Sequence, residues 1–339
     1  MSDKSEEPDD EPFPWDDEDL GKSLADIFEE RQAEPKPRLP LKDILMAKPV
    51  GHIVERDGDR WCLITKSPVP TGKRDDKPRE ELGSKLVTKK SLVHTSGVDE
   101  VHQWISEVHE SAPWMAEASS FIMEEVLKRV RHGLNTVSFD PVLIGGPPGI
   151  GKTHYARNLA ESVGAPHLVL DGATMNSSFQ ISGVERGWSS ADASPIVRLI
   201  AETGVANPIV IIDECEKISR DQARAGNAHH ALLSLMERLS AKRWRCPFTE
   251  MELDLSRVSW ILTANDVELV AAPLRDRCRV IHAKAPSEKD IQSFIAARMS
   301  GQDERVIQAA SEACSGMSLR RVSRMIDAVI AAGGKPMLH

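Results

Sequence analysis

Short apolar runs alternate with segments of helical periodicity through the middle of this chain. Helical spacing over residues 98–109 and 114–133 predicts two helices. Five apolar runs of strand length follow, at residues 141–145, 167–171, 208–213, 258–264 and 280–283. Between the first four runs lie segments of helical spacing, at residues 152–163, 195–203 and 228–239. This alternation predicts an α/β fold with a parallel sheet covered by helices on both faces.

The pattern changes on either side of this core, which we assign to residues 113–285. After Pro286 it becomes purely helical, which predicts a small helical lid over residues 286–339, with helices at residues 287–299, 305–313 and 318–332.

Residues 39–112 carry weaker signals. Residues 52–65 are typical of a hairpin with Asp57 and Gly58 at its turn, and residues 71–85 predict a polar loop. Both a small β module with a helix and a partly ordered linker fit this pattern.

Acidic residues are concentrated at the N-terminus. Residues 1–30 hold 13 Asp and Glu and two Lys, so the other residues contribute about +2 to the formal net charge of −9. Residues 1–38 are also rich in Pro, which predicts a disordered acidic tail. It is either a solvated tail or a motif that docks on a protein partner through a sparse apolar series: Phe13, Trp15, Leu20, Leu24, Ile27 and Phe28.

The remaining composition narrows the class of protein. The near-neutral core has no run of Lys and Arg with interleaved aromatics, so a nucleic-acid partner is not expected. Five scattered cysteines without a C-x-x-C pair argue against a zinc site or a disulfide framework and favour a reducing compartment. The acidic N-terminus does not resemble a signal peptide, and no apolar run reaches about 18 residues. We therefore expect a cytoplasmic protein without a membrane segment.

The strongest motif is GPPGIGKT, which follows the first predicted strand and precedes a helix. Glycines there let backbone N–H groups surround phosphates, Lys152 supplies a charge, and the Thr153 hydroxyl can ligate Mg²⁺. This context predicts an ATP site with these binding residues: Gly146, Pro147, Pro148, Gly149, Ile150, Gly151, Lys152, Thr153, His154 and Asp213.

Polar residues end two other predicted strands. Asp213 and Glu214 follow an apolar run, at the edge where open α/β sheets bind ligands. Asp213 can hold Mg²⁺ together with Thr153, and Glu214 can polarise the attacking water. Asn265 ends the next strand and could position that water, although an Asn there is also an ordinary turn residue.

Two arginine clusters follow. One of Arg275, Arg277 and Arg279 could reach the nucleotide of a neighbouring subunit, or all three could form a solvated edge. Arg320 and Arg321 lie at the start of the last predicted helix, where an arginine could contact the γ-phosphate or belong to an ordinary basic face.

In this order the motifs resemble an AAA+ ATPase module, and more narrowly that of Lon-type proteins. DECEKI at residues 213–218 is similar to the Lon-like Asp-Glu-Ile-Asp-Lys stretch, and AAPLRDRCRVI resembles the arginine-finger segment. The resemblance covers about residues 113–335. It departs from the family pattern at Glu216, where Asp is usual, and at Ser318, where Gly is usual.

The resemblance implies strand order 5-1-4-3-2 and a ring-shaped homo-oligomer, a hexamer, that uses ATP and Mg²⁺ to remodel or unfold a protein substrate. It implies catalytic roles for Glu214, Asn265, Arg277 acting in trans, and Arg320 in the lid. It also places Trp188 in a pore loop that grips substrate, whereas the residues alone favour a packed core position.

The sequence ends at His339 where a Lon-type protease domain would follow, so we expect an ATPase without a protease domain. Two other functions fit the motifs. One is an ATP-dependent switch or scaffold subunit of a multi-protein defence or regulatory complex. The other is a DNA-linked AAA+ loader, which the lack of a basic stripe disfavours.

Overall fold

A five-stranded parallel sheet lies at the centre of the fold. The computed structural model describes residues 60–70, 77–185, 188, 190–219, 227–314 and 317–331, which belong to one compact unit. Our predictions for residues 1–59, including the acidic tail and the turn at Asp57 and Gly58, lie outside the described residues. In chain order the strands are β1 (Trp61–Cys62), β2 (Lys90–Ser91), β3 (Val142–Gly145), β4 (His167–Asp171), β5 (Gly183–Val184), β6 (Asp192–Ala193), β7 (Ile209–Asp213), β8 (Trp244–Arg245), β9 (Glu252–Leu253), β10 (Ser259–Ala264) and β11 (Arg279–His282).

Helices surround the sheet and continue beyond it. In chain order they are α1 (Lys77–Leu86), α2 (Val98–Ser111), α3 (Ala116–Arg131), α4 (Lys152–Ser162), α5 (Phe179–Ser182), α6 (Pro195–Thr203), α7 (Ala228–Met236), α8 (Arg238–Ala241), α9 (Ala272–Arg275), α10 (Glu288–Arg298), α11 (Glu304–Ala313) and α12 (Leu319–Ala331). Among the described helices, none combines the length and the apolar composition that a membrane-spanning helix needs.

The central sheet has the order β11-β3-β10-β7-β4, and every neighbouring pair is parallel. Numbered by their sequence, these strands run 5-1-4-3-2, so the predicted order is confirmed. Since all five point the same way, the chain leaves β3, β7 and β10 at one edge of the sheet. That edge brings the glycine-rich loop, Asp213 and Asn265 together.

Alternate residues of each central strand enter two different cores, because successive side chains of a strand point to opposite faces. Trp260 and Leu262 of β10 join a cluster with α6 and α7 on one face. Ile261 joins the cluster of α2, α3 and α4 on the other. Every residue of β10 is buried, as expected for a strand covered on both faces.

The helices α10 to α12 form a lid with an apolar cluster of its own. α10 begins at a capping box in which Ser287 and Asp290 satisfy each other's backbone N–H groups. Trp114 packs against both the lid cluster and the core cluster of α2 to α4, and its ring meets Phe294 of α10 edge-on, with 6.3 Å between centroids. Trp114 therefore joins the lid to the core.

The predicted polar loop at residues 71–85 is wrong over its second half, because α1 begins at Lys77. Leu86, at the end of this helix, is fully buried in the core beside α6 and α7. The Arg79 guanidinium pairs with Glu250 and donates to the Thr249 carbonyl oxygen. These distant contacts hold a helix whose local sequence contains Pro and Gly and shows little periodicity.

Other departures from the predicted elements are local. The helix predicted over residues 228–239 ends at Met236, because Glu237 adopts an extended conformation, and the chain resumes as the short helix α8. β1 lies in the described part of the predicted hairpin. It pairs with β2, which comes much later in the chain. The short antiparallel pairs β5–β6 and β8–β9 were not predicted from the sequence.

Candidate functional site

The loop after β3 turns sharply before it enters α4. Gly149 and Gly151 have φ values of 80° and 87°, a region that residues with side chains rarely adopt. A Cβ atom at Gly146 would collide with the Ala283 carbonyl oxygen. Because α4 begins at Lys152, directly after Gly151, the loop ends at the positive end of a helix. This arrangement binds anions.

Lys152 is folded back against this loop. Its Nζ donates to the carbonyl oxygens of Gly146 at 2.7 Å and Pro147 at 3.0 Å, and to Asn265 Oδ1 at 3.0 Å. Burial lowers the pKa of the Lys152 ammonium, and nearby carboxylates oppose this shift, in order of effect Glu216, Asp213 and Glu214. The ammonium group is thus a cation held at the base of the loop, with several carboxylates near it.

Asp213 connects three elements at the end of β7. The hydroxyl groups of Thr153 and Thr263 both lie 2.6 Å from its Oδ1. Thr263 lies on the adjacent strand β10, is fully buried, and also accepts from the Glu214 backbone N–H at 3.2 Å. Thr263 therefore fixes both acidic residues, and our sequence analysis missed it because a Thr inside an apolar strand resembles any other buried position.

Glu214 has a backbone conformation that is rare for a residue with a side chain, with φ of 51° and ψ of 47°. Its Oε1 accepts from Asn265 Nδ2 at 3.2 Å, and its Oε2 pairs with Lys217 Nζ at 2.6 Å. The hydrogen bond from Lys217 is the main cause that lowers the pKa of Glu214, and the bond from Asn265 adds to it. The carboxylate is therefore held in its ionised form at this edge of the sheet.

These side chains line one wall of a cavity of about 550 Å³ between the core and the lid. Its lining residues include Ala112, Trp114, Pro148, Gly149, Gly151, Lys152, Thr153, His154, Arg157, Asp213, Glu214, Asn265, Phe294, Leu319, Arg320, Ser323 and Arg324. The cavity has an aromatic part, formed by Trp114 and Phe294, and a strongly polar part. Trp114 also donates from Nε1 to the Ile150 carbonyl oxygen of the glycine-rich loop, at 2.8 Å.

Arginines from the lid face the same cavity. Arg320 and Arg324, one turn apart on α12, both line it, and Arg157 lines it from α4. His154 lies among these cations, and burial, followed by the charge of Arg298, lowers its pKa. The imidazole is thus biased toward its neutral form. Arg324 and Arg157 were not among our predicted site residues.

The arginine cluster at residues 275–279 does not line the cavity of its own chain. Arg277 Nη1 donates to the Pro273 carbonyl oxygen at 3.1 Å, and its Nε lies 3.8 Å from a Glu237 carboxylate oxygen. Arg275 pairs with Glu268 at 2.5 Å, and Arg279 lies over the ring of Phe121. Whatever Arg277 contributes to a nucleotide site must therefore be to a site outside its own cavity.

Trp188 is 62% exposed, so its interpretation as a packed core residue is wrong. It lies between the strands of the β5–β6 hairpin, and its ring centroid is 6.2 Å from that of Phe179. Gly183 begins this hairpin with φ of 80°, and a Cβ there would meet the backbone of the opposite strand. Trp188 is thus an exposed aromatic residue between these two strands.

Sequence reasoning found the residues of the local motifs and missed those that reach the cavity from distant segments. Trp114, Phe294 and Arg324 line the cavity from such segments, and Arg157 lines it from α4. Thr263 and Lys217 were also missed, and they bind Asp213 and Glu214 without lining the cavity. Lys217 is the one with a usable signal, because it lies three residues after Glu214 and so can pair with it.

A strand, a glycine-rich loop and a helix that carries Lys152 and Thr153, opposite an aspartate at the end of a parallel strand, define the P-loop nucleoside triphosphatases. Residues 142–285 match the family model described as "ATPase family associated with various cellular activities (AAA)". This part of the chain is an AAA ATPase domain, and the predicted resemblance to an AAA+ module is confirmed.

Curated relatives narrow the resemblance. The chain is 28% identical to a Lon protease of Fusobacterium nucleatum subsp. nucleatum over 196 residues, 55% of this chain and 25% of that protein. It is 33% identical to Lon protease 2 of Desulfotalea psychrophila over 147 residues, 43% of this chain and 19% of that protein. It is 31% identical to the mitochondrial Lon protease homolog of Mus musculus over 172 residues, 49% of this chain and 18% of that protein.

The chain thus spans a quarter or less of these relatives' own length, and its AAA+ module is Lon-like. Among solved structures, a mutant of Thermotoga maritima RuvB is similar with a TM-score of 0.43 and 15% identity, over 66% of each chain.

Proposed function

We propose that this chain hydrolyses ATP with Mg²⁺ and uses the energy to remodel or unfold a protein substrate, as one subunit of a ring-shaped homo-oligomer. One observation carries the proposal: five side chains line one wall of a single cavity, and hydrogen bonds through Thr263 connect them into one network. They are Lys152, Thr153, Asp213, Glu214 and Asn265. Each is a residue type that can bind phosphate, ligate Mg²⁺ or orient the attacking water.

The cavity suits a nucleoside triphosphate in size and polarity. A volume of about 550 Å³ lies within the range of small-molecule sites. The phosphates belong at the start of α4, where backbone N–H groups and Lys152 meet. The base then belongs at the other end, where the rings of Trp114 and Phe294 offer apolar contact.

The oxygen atoms at the end of β7 suit Mg²⁺. Thr153 Oγ1 and Asp213 Oδ1 lie 2.6 Å apart, and hard cations prefer such oxygen ligands. No group of three or more His, Cys, Asp or Glu side chains within the described ranges could hold a metal ion by itself. Mg²⁺ typically binds through one or two carboxylates together with phosphate oxygens, and when bound it neutralises charge on the β- and γ-phosphates.

Glu214 is the residue proposed to act on water. In hydrolysis the water oxygen bonds to the γ-phosphorus, the bond to the bridging oxygen breaks, and ADP leaves. A carboxylate can orient that water and accept its proton, and the lowered pKa of Glu214 keeps its carboxylate ionised. Asn265 holds one oxygen of this carboxylate and Lys152 together, and so links the water to the phosphates.

The Glu214→Gln substitution tests this function. The variant should bind ATP and lose turnover by about 10²-fold or more, because an amide accepts no proton from water. Turnover is measured as phosphate release and binding by fluorescence of a labelled nucleotide, with Glu117→Gln, an exposed substitution on α3, as the control. Full turnover by Glu214→Gln would rule out its role in water activation, and an unmodified protein that binds no ATP would refute the proposal altogether.

A second candidate is a nucleotide switch that organises partners without remodelling a substrate. The ion pair between Lys217 and Glu214 favours it, because the carboxylate that would act on water is already occupied. A switch would hydrolyse ATP slowly and independently of substrate.

Trp188 separates these two functions. If a pore loop grips substrate through this exposed ring, Trp188→Ala should keep basal ATPase activity and lose unfolding of a fluorescent substrate protein. Trp61→Ala is the matched control, since Trp61 is also an exposed tryptophan, at 56% against 62%. Equal unfolding by both variants would rule out the pore role of Trp188. An unmodified protein that hydrolyses ATP and unfolds no substrate would favour the switch.

A further inference from the structure

Asn265 occupies the central position of the proposed site. Its side-chain amide accepts from Lys152 through Oδ1 and donates to Glu214 through Nδ2, so one amide touches both the phosphate-binding cation and the water-activating carboxylate. A small displacement of this residue would disturb both contacts. What fixes the Asn265 backbone therefore matters for the reaction.

The Asn265 backbone is fixed by a carboxylate that our sequence analysis recorded only as a departure from the Lon-like pattern. The Asn265 N–H donates to Glu216 Oε1 at 3.0 Å. Glu216 lies on the single 3-10 turn Cys215–Lys217 that follows Glu214, so the acceptor comes from the end of the neighbouring strand. The bond ties the loop after β10 to the loop after β7.

The other oxygen of Glu216 differs from the first. Oε2 is buried and has no hydrogen-bond partner among the residues that the structure describes. A buried carboxylate oxygen without a partner carries a desolvation cost. Of the three carboxylates that raise the pKa of the Lys152 ammonium through their charge, Glu216 has the largest effect. The carboxylate thus lies against the catalytic network, and within the described part of the chain its hydrogen bond is to the Asn265 N–H.

We propose that Glu216 is a positioning residue for ATP hydrolysis, and that its bond to the Asn265 N–H fixes the amide between Lys152 and Glu214. The inference rests on the proposed ATPase function, in which Glu216 would act through Asn265. When phosphate draws the Lys152 ammonium away from the carbonyl oxygens it now contacts, the Asn265 backbone stays in place because Glu216 holds it from behind.

Three substitutions separate the bond from other roles of the side chain. Glu216→Ala removes the acceptor and should lower kcat by about 10²-fold, the effect of misplacing a catalytic group by roughly 1 Å. Glu216→Asp shortens the side chain by one methylene and should lower kcat by about tenfold. Glu216→Gln keeps an acceptor oxygen and replaces Oε2, which has no hydrogen-bond partner among the described residues. Its kcat should therefore stay within about threefold of the unmodified protein.

Affinity for labelled ADP should stay within about twofold in all three variants, because Glu216 does not line the cavity. Glu100→Ala is the control. Glu100 lies on the distant helix α2, and its carboxylate likewise accepts a hydrogen bond from a backbone N–H, that of Ser96. This control should keep both kcat and affinity. Loss of kcat without loss of affinity is a result that a merely structural role would not give.

A double-mutant cycle with Asn265→Ala completes the test. If Glu216 acts through Asn265, Glu216→Ala should cause no further loss of kcat in the Asn265→Ala protein. Additive losses would overturn the proposal, as would Glu216→Gln falling to the level of Glu216→Ala, or Glu216→Asp keeping full turnover. If Glu216→Ala does not fold, the Asp and Gln variants decide. An unmodified protein without ATPase activity would instead refute the function.

Discussion

Glu214 shows how a few contacts set the state of a single residue. Its left-handed backbone turns the carboxylate back toward Asn265, and Lys217, three residues on, binds the other oxygen. A non-glycine residue with positive φ carries strain that the surrounding structure must hold, and such residues cluster at functional sites. Thr263 supplies part of this support by accepting the Glu214 N–H.

Lys217 should set the acid limb of the pH–rate profile. The carboxylate must be ionised to accept a proton, so turnover falls as the pH drops through the pKa of Glu214. Lys217 is the main cause that lowers this pKa, so Lys217→Ala should raise it and move the acid limb to higher pH. The measurement is kcat against pH at saturating ATP.

Lys128→Ala is the matched control, because Lys128 pairs with Glu125 at the same i,i+3 spacing, on α3. Its profile should coincide with that of the unmodified protein. An acid limb that does not move in Lys217→Ala would mean that another group controls it.

At the scale of elements, two arginines of α12 line the cavity and a third does not. Arg320 and Arg324 are four residues apart and share a face that lines the cavity, whereas Arg321 points to another face and does not line it. We expect Arg320→Ala and Arg324→Ala each to weaken ATP binding by about tenfold, the loss of one charge-assisted contact with phosphate. Arg321→Ala should bind as before.

Labelled-nucleotide titrations of the three variants test this assignment. Equal affinity for all three would mean that the lid contributes no charge to the bound nucleotide. A loss in Arg321→Ala alone would reverse our assignment of the helix face.

The elements that the sequence predicted well are those in which local pattern and tertiary contact agree. β7 and β10 each contain a run of consecutive apolar residues, Ile209–Ile212 and Trp260–Leu262, that lies buried between two helical layers. α1 fails this condition: its buried positions are Arg79, Gly83 and Leu86, of which one is apolar in the usual sense. Its position depends on contacts with residues about 170 positions away, which no local window contains.

The site residues also divide into those with a local sequence pattern and those without one. Lys152 and Asp213 were predictable, because a glycine-rich loop and a strand-ending acid are local patterns with a chemical reason. Trp114 and Phe294 come from the core and the lid and meet only in the folded chain. Nothing in their neighbouring residues separates an aromatic that lines a cavity from one that fills a core.

At the scale of the whole molecule, the arrangement of Arg277 favours a site shared between subunits. Its guanidinium is held loosely by Glu237 and Pro273, at 3.8 Å and 3.1 Å, outside its own cavity. If identical subunits assemble head-to-tail into the ring proposed above, this surface would meet the next subunit's cavity. An arginine that arrives in this way can raise turnover by about 10³–10⁵-fold.

Mixing two inactive variants tests the shared site. Lys152→Ala loses nucleotide binding but keeps Arg277, and Arg277→Ala keeps the cavity but lacks the arginine. Each alone should have little activity. In an equal mixture that exchanges subunits, about a quarter of the interfaces of a head-to-tail ring pair an intact cavity with an intact arginine, so ATPase activity should return to that level.

The control replaces Arg277→Ala with Glu214→Gln in the mixture, because Lys152 and Glu214 line the same cavity. That mixture should regain nothing beyond the subunits' own residual turnover, since neither variant has an intact cavity to offer its neighbour. Recovery in the first mixture and not in the second is expected only if Arg277 completes a neighbouring cavity. Equal failure of both, with subunit exchange verified by fluorescence energy transfer, would mean that Arg277 does not complete a neighbouring cavity. Full turnover by Arg277→Ala alone would move the assignment to Arg275 or Arg279, which are held by Glu268 and Phe121.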